Sequence, residues 1–185
     1  MLGTLRDSFI GNVSRWPNRT AIIESERAYT YADLDAAVNQ CANLLIDIGV
    51  RKGDAVGLLL NNCPEFAIGF LACQKIGAVS SGLNFRLSAG ALGYIVQQET
   101  LKAVIFNSLY SGMVTEIMRS AGFCRFIGVG EAIPDGAIRF DRCGGFPRPS
   151  RRQRISRKPT SVMSFTPRER PEGRKAPRSP TRHRS

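Results

Sequence analysis

Over the first 141 residues the apolar positions alternate between helical spacing and short β-branched or continuous runs. Leu2, Leu5, Phe9 and Val13 recur at near-helical spacing until Trp16-Pro17, which predicts a short amphipathic helix. Residues 20–24 (TAIIE) are short and β-branched. Residues 28–30 can pair with them across the polar turn Ser25-Glu26-Arg27, which predicts a hairpin at the edge of a sheet. Thr30-Tyr31-Ala32-Asp33 has the form of a capping box. Behind it Leu34, Val38, Cys41, Ala42, Leu45 and Ile48 fall on one helical face, and Gly49 stops the helix.

Gly53-Asp54 turns the chain into residues 55–60 (AVGLLL), a continuous apolar run expected of a strand covered on both faces. Asn62 is positioned to cap a second helix, with Pro64 and Glu65 in its first turn, Phe66, Ala67, Phe70, Leu71 and Cys73 along it, and Gly77 at its end. Residues 78–80 read as the next strand. Ser88 caps a third helix bearing Leu92, Ile95 and Val96, and residues 102–106 (KAVIF) form another buried strand. A helix over 110–120 and a strand over 125–129 complete the alternation. Strands separated by helices imply crossover connections, hence an α/β fold: a layered, parallel-rich sheet with flanking helices, whose ligands meet the strands' carboxyl ends.

From residue 142 the periodicity stops and Arg, Pro, Ser and Gly dominate, a composition that predicts disorder. The chain therefore divides into a globular part, 1–141, and a basic tail, 142–185. The formal net charge of +11 belongs to the tail: residues 1–141 carry 12 Lys and Arg against 13 Asp and Glu, whereas 142–185 carry 14 against 2. Arg151, Arg152, Arg154, Arg157 and Lys158 can neutralise phosphates, so weak, salt-dependent, nonspecific nucleic-acid binding is expected there. Phe146 and Phe165 are the tail's only aromatic residues, which leaves little for base stacking.

Cys41, Cys63, Cys73, Cys124 and Cys143 form no CxxC pair, and the first four lie in apolar stretches, as small buried hydrophobes do. They fit a reducing, cytoplasmic location. The single histidine, His183, lies in the tail, so a histidine base or zinc ligand is missing from the globular part. No apolar run approaches the roughly 20 residues of a membrane span, and MLGTLRDSFIGN lacks a leader's basic and apolar regions. Gly128-x-Gly130 follows a strand, but without a third glycine it is a weak sign of a dinucleotide loop.

Three stretches, RWPNRTAII, then the run from YTYADLDAAV through LSAGALGYIV, then LKAVIF, resemble in content and order the amino-terminal region of AMP-forming acyl-CoA synthetases. This is part of the adenylate-forming superfamily, with luciferases and peptide-synthetase adenylation domains. The resemblance implies an enzyme that uses ATP and magnesium to convert a carboxylic acid to an acyl-adenylate and then transfers the acyl group to coenzyme A. Asn84 and Arg86 match the family's N-x-R-L element, for which a loop-fixing role by side-chain hydrogen bonds is expected.

The family's Ser/Thr/Gly-rich phosphate loop, which wraps phosphates with backbone N–H groups, is absent as written. No catalytic, cofactor-binding or metal residue is therefore assigned, and no cofactor is expected for this chain as it stands. The expected molecule is an incomplete amino-terminal domain, inactive alone. Two kinds of partner are considered: the downstream part of the ligase, or another chain meeting the exposed sheet in a non-catalytic interaction module.

Residues 161–166 (SVMSFT) resemble the strand before that loop, where relatives continue with a sequence like SGTTGxPKG; here PRERPEGRKA follows. A frame shifted within the codons joins the last base of each to the first two of the next. Pro167 into Arg168 then allows TCG, Ser, and Arg168 into Glu169 allows GGA, Gly. The same procedure through Ala176 permits Thr, Thr, Gly, Arg, Pro, Lys and Gly. The neighbouring frame can thus spell SGTTGRPKG, which points to a frameshift after Thr166. Residues 142–160 are expected to be a second shifted segment. Sequencing the gene is expected to show those nine residues in the alternative frame; any other letters there overturn the idea.

Overall fold

The computed structural model describes residues 4–25 and 27–143. Leu2 and the tail from residue 144, including the strand-like SVMSFT, lie outside the described residues. Helix α1 (Leu5–Arg15) opens with a capping box in which Thr4 Oγ1 accepts from the Asp7 N–H and Asp7 accepts from the Thr4 N–H. The Thr4 backbone N–H, then its hydroxyl, hold the Asp7 carboxyl below its usual range. No residue of α1 is buried, and the guanidinium groups of Arg15 and Arg19 stand 5.4 and 5.3 Å from the ring centroid of Trp16 beyond it.

Strands β1 (Thr20–Glu24) and β2 (Arg27–Thr30) pair antiparallel around a turn where Ser25 has φ 53°. They form a separate two-stranded sheet, not the edge of the main one. The reason is local: Thr30 both ends β2 and caps α2 (Tyr31–Asp47), so no linker remains to swing the hairpin onto the larger sheet. The α2 box is as the sequence predicts, with Asp33 N–H to Thr30 Oγ1 at 3.1 Å and Thr30 N–H to Asp33 Oδ2 at 3.0 Å.

Next come β3 (Ala55–Leu59), α3 (Pro64–Ile76), β4 (Val79–Gly82), α4 (Ala89–Gln98), β5 (Ala103–Asn107), α5 (Ser111–Ser120), β6 (Arg125–Val129) and β7 (Ile138–Arg139). The five sheet strands are parallel in the order β4-β3-β5-β6-β7. A 3-10 turn (Ser108–Tyr110) occupies the predicted start of the last helix, which begins instead at Ser111. The two-residue β7 was not expected, being too short to show a period.

Asn62 is not the cap of α3. That place is taken by Cys63, which makes no side-chain capping bond. The residue before a proline is pushed into extended geometry, and Cys63, at φ −142° and ψ 162° ahead of Pro64, supplies the non-helical backbone a cap requires. At the other end Gly77 takes the left-handed conformation, φ 75°, as the C-cap.

Alternation along the central strands builds two cores. Val56, Leu58, Ala103, Ile105 and Ile127 face one side, under Leu34, Val38, Cys41 and Leu45 of α2 and Ile68, Ala72 and Cys73 of α3. Leu59, Val104, Phe106 and Phe126 face the other, under Leu92 and Val96 of α4 and Val114 and Ile117 of α5. Gly69 lets α3 lie close on the sheet: a Cβ there would stand 3.1 Å from both Leu58 Cδ2 and Ile105 Cδ1. Because α2 lays buried side chains on a core whereas α1 contributes only the partly buried Phe9, Thr30→Ala is expected to lower stability by about 1 kcal/mol, and Thr4→Ala by less. Urea unfolding of the two variants measures the difference, and equal losses would contradict this division.

Candidate functional site

All five strands of the parallel sheet end on one edge. In such sheets ligands meet the carboxyl ends where the strand order reverses. Here β3 has β4 on one side and β5 on the other, so the chain reverses between β3 and β5. Residues 60–63, 83–87 and 107–110 emerge around that point.

Each emerging segment is shaped by a short polar residue. Asn84 Oδ1 accepts from the Arg86 N–H at 3.0 Å, and Asn107 Oδ1 accepts from the Leu109 N–H at 2.9 Å, two side-chain turns that set the direction of the loops. Tyr110 then donates its hydroxyl proton to Asn61 Oδ1, joining the ends of β5 and β3. The Tyr110 ring lies nearly parallel to that of Phe85, with centroids 5.4 Å apart and planes 14° apart. The guanidinium of Arg86 stands 6.0 Å from the Phe85 centroid on this aromatic pair.

Asn84 thus has the loop-fixing role expected of it, and Arg86 does not. Among the described residues its guanidinium makes no hydrogen bond or ion pair, and the residue is exposed. Asn61, Phe85 and Tyr110 were missed in the sequence; for Asn61 and Tyr110 the position just past the buried strands β3 and β5 was the available signal, whereas β4 ahead of Phe85 has no buried residue.

Gly128 and Gly130 serve packing. A Cβ on Gly128 would stand 2.4 Å from Ile133 Cδ1 and 3.0 Å from Phe106 Cζ, and one on Gly130 would stand 2.2 Å from Ser108 Oγ. The carbonyls of Gly130 and Glu131 accept from Arg139, at 3.4 and 3.3 Å. These contacts describe a loop closed on its own protein, not a phosphate cradle.

Among the described residues no group of three His, Cys, Asp or Glu side chains converges as a metal site would require, and no charged side chain is fully buried. The edge can hold a planar or anionic group through stacking and charge. A cavity of about 410 Å³ at the opposite end of the sheet is lined by Asp47, Met118, Arg125, Phe126 and Gly136 among others. Among the described residues no helix is long and apolar enough to cross a membrane.

Comparison with known proteins gives one family. The AMP-binding enzyme model matches residues 9–135. A crotonobetaine/carnitine–CoA ligase from Salmonella paratyphi B is 32% identical over 145 residues, covering 76% of this chain and 26% of the relative. Among solved structures, the anthranilate CoA ligase AuaEII in complex with anthranoyl-AMP aligns with a TM-score of 0.71 and 25% identity, over 77% of this chain and 28% of that one. The N-terminal domain of FACL13 from Mycobacterium tuberculosis aligns with a TM-score of 0.67 and 25% identity, over 79% and 37%. The chain thus spans about a quarter of the length of the curated relative.

No disulfide joins Cys41, Cys63, Cys73 and Cys124; Cys41, Cys73 and Cys124 are buried and Cys63 is half-buried beside the site edge. Burial pushes the Cys63 thiol up to about 11, partly offset by the Phe66 backbone N–H, and pushes Cys73 and Cys124 up to about 12. Only the thiolate reacts, so Cys63 at pH 8 is expected to alkylate about a hundredfold more slowly than an unhindered thiol, its rate rising with pH until near 11. Mass spectrometry of iodoacetamide-treated chain follows this site by site; rapid labelling of Cys63 at pH 8 would contradict it.

Proposed function

This chain belongs to the AMP-binding enzyme family, and from that membership we propose that it is the amino-terminal α/β layer of an acid–CoA ligase, carrying one wall of the ligand site but unable to form an acyl-adenylate alone. The observation that carries the reading is the family match over residues 9–135, which takes in the sheet strands β3 to β6 and the edge at Arg86. The crotonobetaine/carnitine and anthranilate relatives named above are CoA ligases. Their named acids differ, so the reading is limited to a carboxylic acid substrate.

In this reaction class a carboxylate oxygen attacks the α-phosphorus of ATP and pyrophosphate leaves. The coenzyme A sulfur then attacks the acyl carbonyl, and AMP leaves. ATP with magnesium supplies the activated phosphorus and neutralises part of the phosphate charge. What the described residues supply is the wall at the switch point, with Arg86 as an exposed cation and the rings of Phe85 and Tyr110 behind it. A phosphate-bearing cosubstrate matches that combination of charge and flat apolar surface.

The inactivity follows from the residues after the strand-like SVMSFT. Bare backbone N–H groups that wrap a leaving pyrophosphate require glycine where the chain must approach the phosphates closely. The translated sequence places PRERPEGRKA there. A frameshift after Thr166 accounts for that substitution. Incubation of the purified chain with ATP, magnesium and crotonobetaine, anthranilate or a fatty acid is expected to yield no acyl-AMP by mass spectrometry. Detection of acyl-AMP above the protein-free rate would overturn this reading.

A further inference from the structure

We propose that Tyr110 and Asn61 are positioning residues for Arg86: their hydrogen bond, spanning the gap between β3 and β5, steadies the aromatic stack that aims the Arg86 guanidinium at a nucleotide phosphate. The inference rests on the phosphate-receiving wall described above and adds the device that orients its cation.

An arginine on an exposed loop samples many rotamers, and a ligand that stills it must offset the lost entropy. Arg86 lies on such a loop, between β4 and α4. Its guanidinium nevertheless has a backing surface in the Phe85 ring, 6.0 Å away. Phe85 is 38% exposed and is not part of either apolar core. Its stacking partner is Tyr110, whose ring lies at 5.4 Å.

Tyr110 is held in turn at its far end, where the hydroxyl donates to Asn61 Oδ1. Asn61 lies two residues past the end of the central strand β3, whose Leu58 and Leu59 are exposed to 1% or less. A chain of contacts therefore runs from the rigid middle of the sheet through Asn61, Tyr110 and Phe85 to Arg86. A phenylalanine at position 110 would stack equally well but could not be pinned, so the hydroxyl has a role that burial of the ring does not explain. Both Asn61 and Tyr110 are half-buried, which shields their bond from competing water. No carboxylate ion-pairs with Arg86 among the described residues, which leaves its charge for a ligand.

The test is calorimetric titration of the whole chain at fixed salt with coenzyme A and, separately, with ATP and magnesium, since either could bring the phosphate. The basic tail is common to every variant, so its contribution cancels from the ratios. Arg86→Ala is expected to weaken whichever ligand the wall receives by about tenfold, and Tyr110→Phe by about threefold. Because Tyr110 acts through Arg86, the double variant is expected to bind no more weakly than Arg86→Ala alone. Asn61→Ala, which leaves the tyrosine in place, is expected to reproduce the Tyr110→Phe loss, with cooperative thermal unfolding showing each variant folded.

A double variant weakened by about thirtyfold, the product of the single effects, would show that Tyr110 acts independently and would overturn the inference. So would unchanged binding in Tyr110→Phe alongside a loss in Arg86→Ala, which leaves the wall intact. If the unaltered chain binds neither ligand, or Arg86→Ala changes neither titration, the wall itself fails and the inference with it.

Discussion

Covering both faces of two central parallel strands is the constraint to which the rest of this molecule answers. β3 and β5 send alternate side chains into two separate cores. Parallel neighbours cannot be joined by a tight turn, so each connection must cross a face, and a helix with an apolar stripe is the element that crosses and covers at once. α2 and α3 close one face, α4 and α5 the other. The close seat of α3 depends on Gly69, whose missing side chain leaves room for Leu58 and Ile105.

The same constraint decides where chemistry can sit. An interior built this way admits no fully buried charged side chain among the described residues, because an unpaired charge inside would cost more than the local packing could offset. Polar and charged groups are displaced to the ends of the strands. At the carboxyl edge they gather where the chain reverses from β4 back past β3 to β5, and the loops there are shaped by Asn61, Asn84 and Asn107. The result is a surface suited to holding a ligand.

Much of the fold was legible because its signals are local. The Thr30 and Asp33 box, Gly77 at the end of α3 and the apolar runs of β3 and β5 each lie within a few residues of the structure they specify. The misreadings also have physical causes. Asn62 is the better capping residue by type, but Pro64 makes its own predecessor, Cys63, the extended one. The pairing of β1 with β2 was readable, while their separation from the main sheet depended on the absence of any linker before α2. In β7, two residues joined to Ile127 and Gly128 carry no period to read.

The sequence by itself determined the α/β alternation, the division of charge between body and tail, the family resemblance and the mismatch after Thr166, since each is written in neighbouring residues. Only the tertiary structure decided that Asn61, Phe85, Arg86 and Tyr110 meet. Tyr110 and Asn61 lie 49 positions apart along the chain, and Arg86, expected to fasten its own loop, is instead turned out on an aromatic surface. Strand order brings these residues together, and that order is set by which helices cover which faces, a choice that no short window of sequence contains.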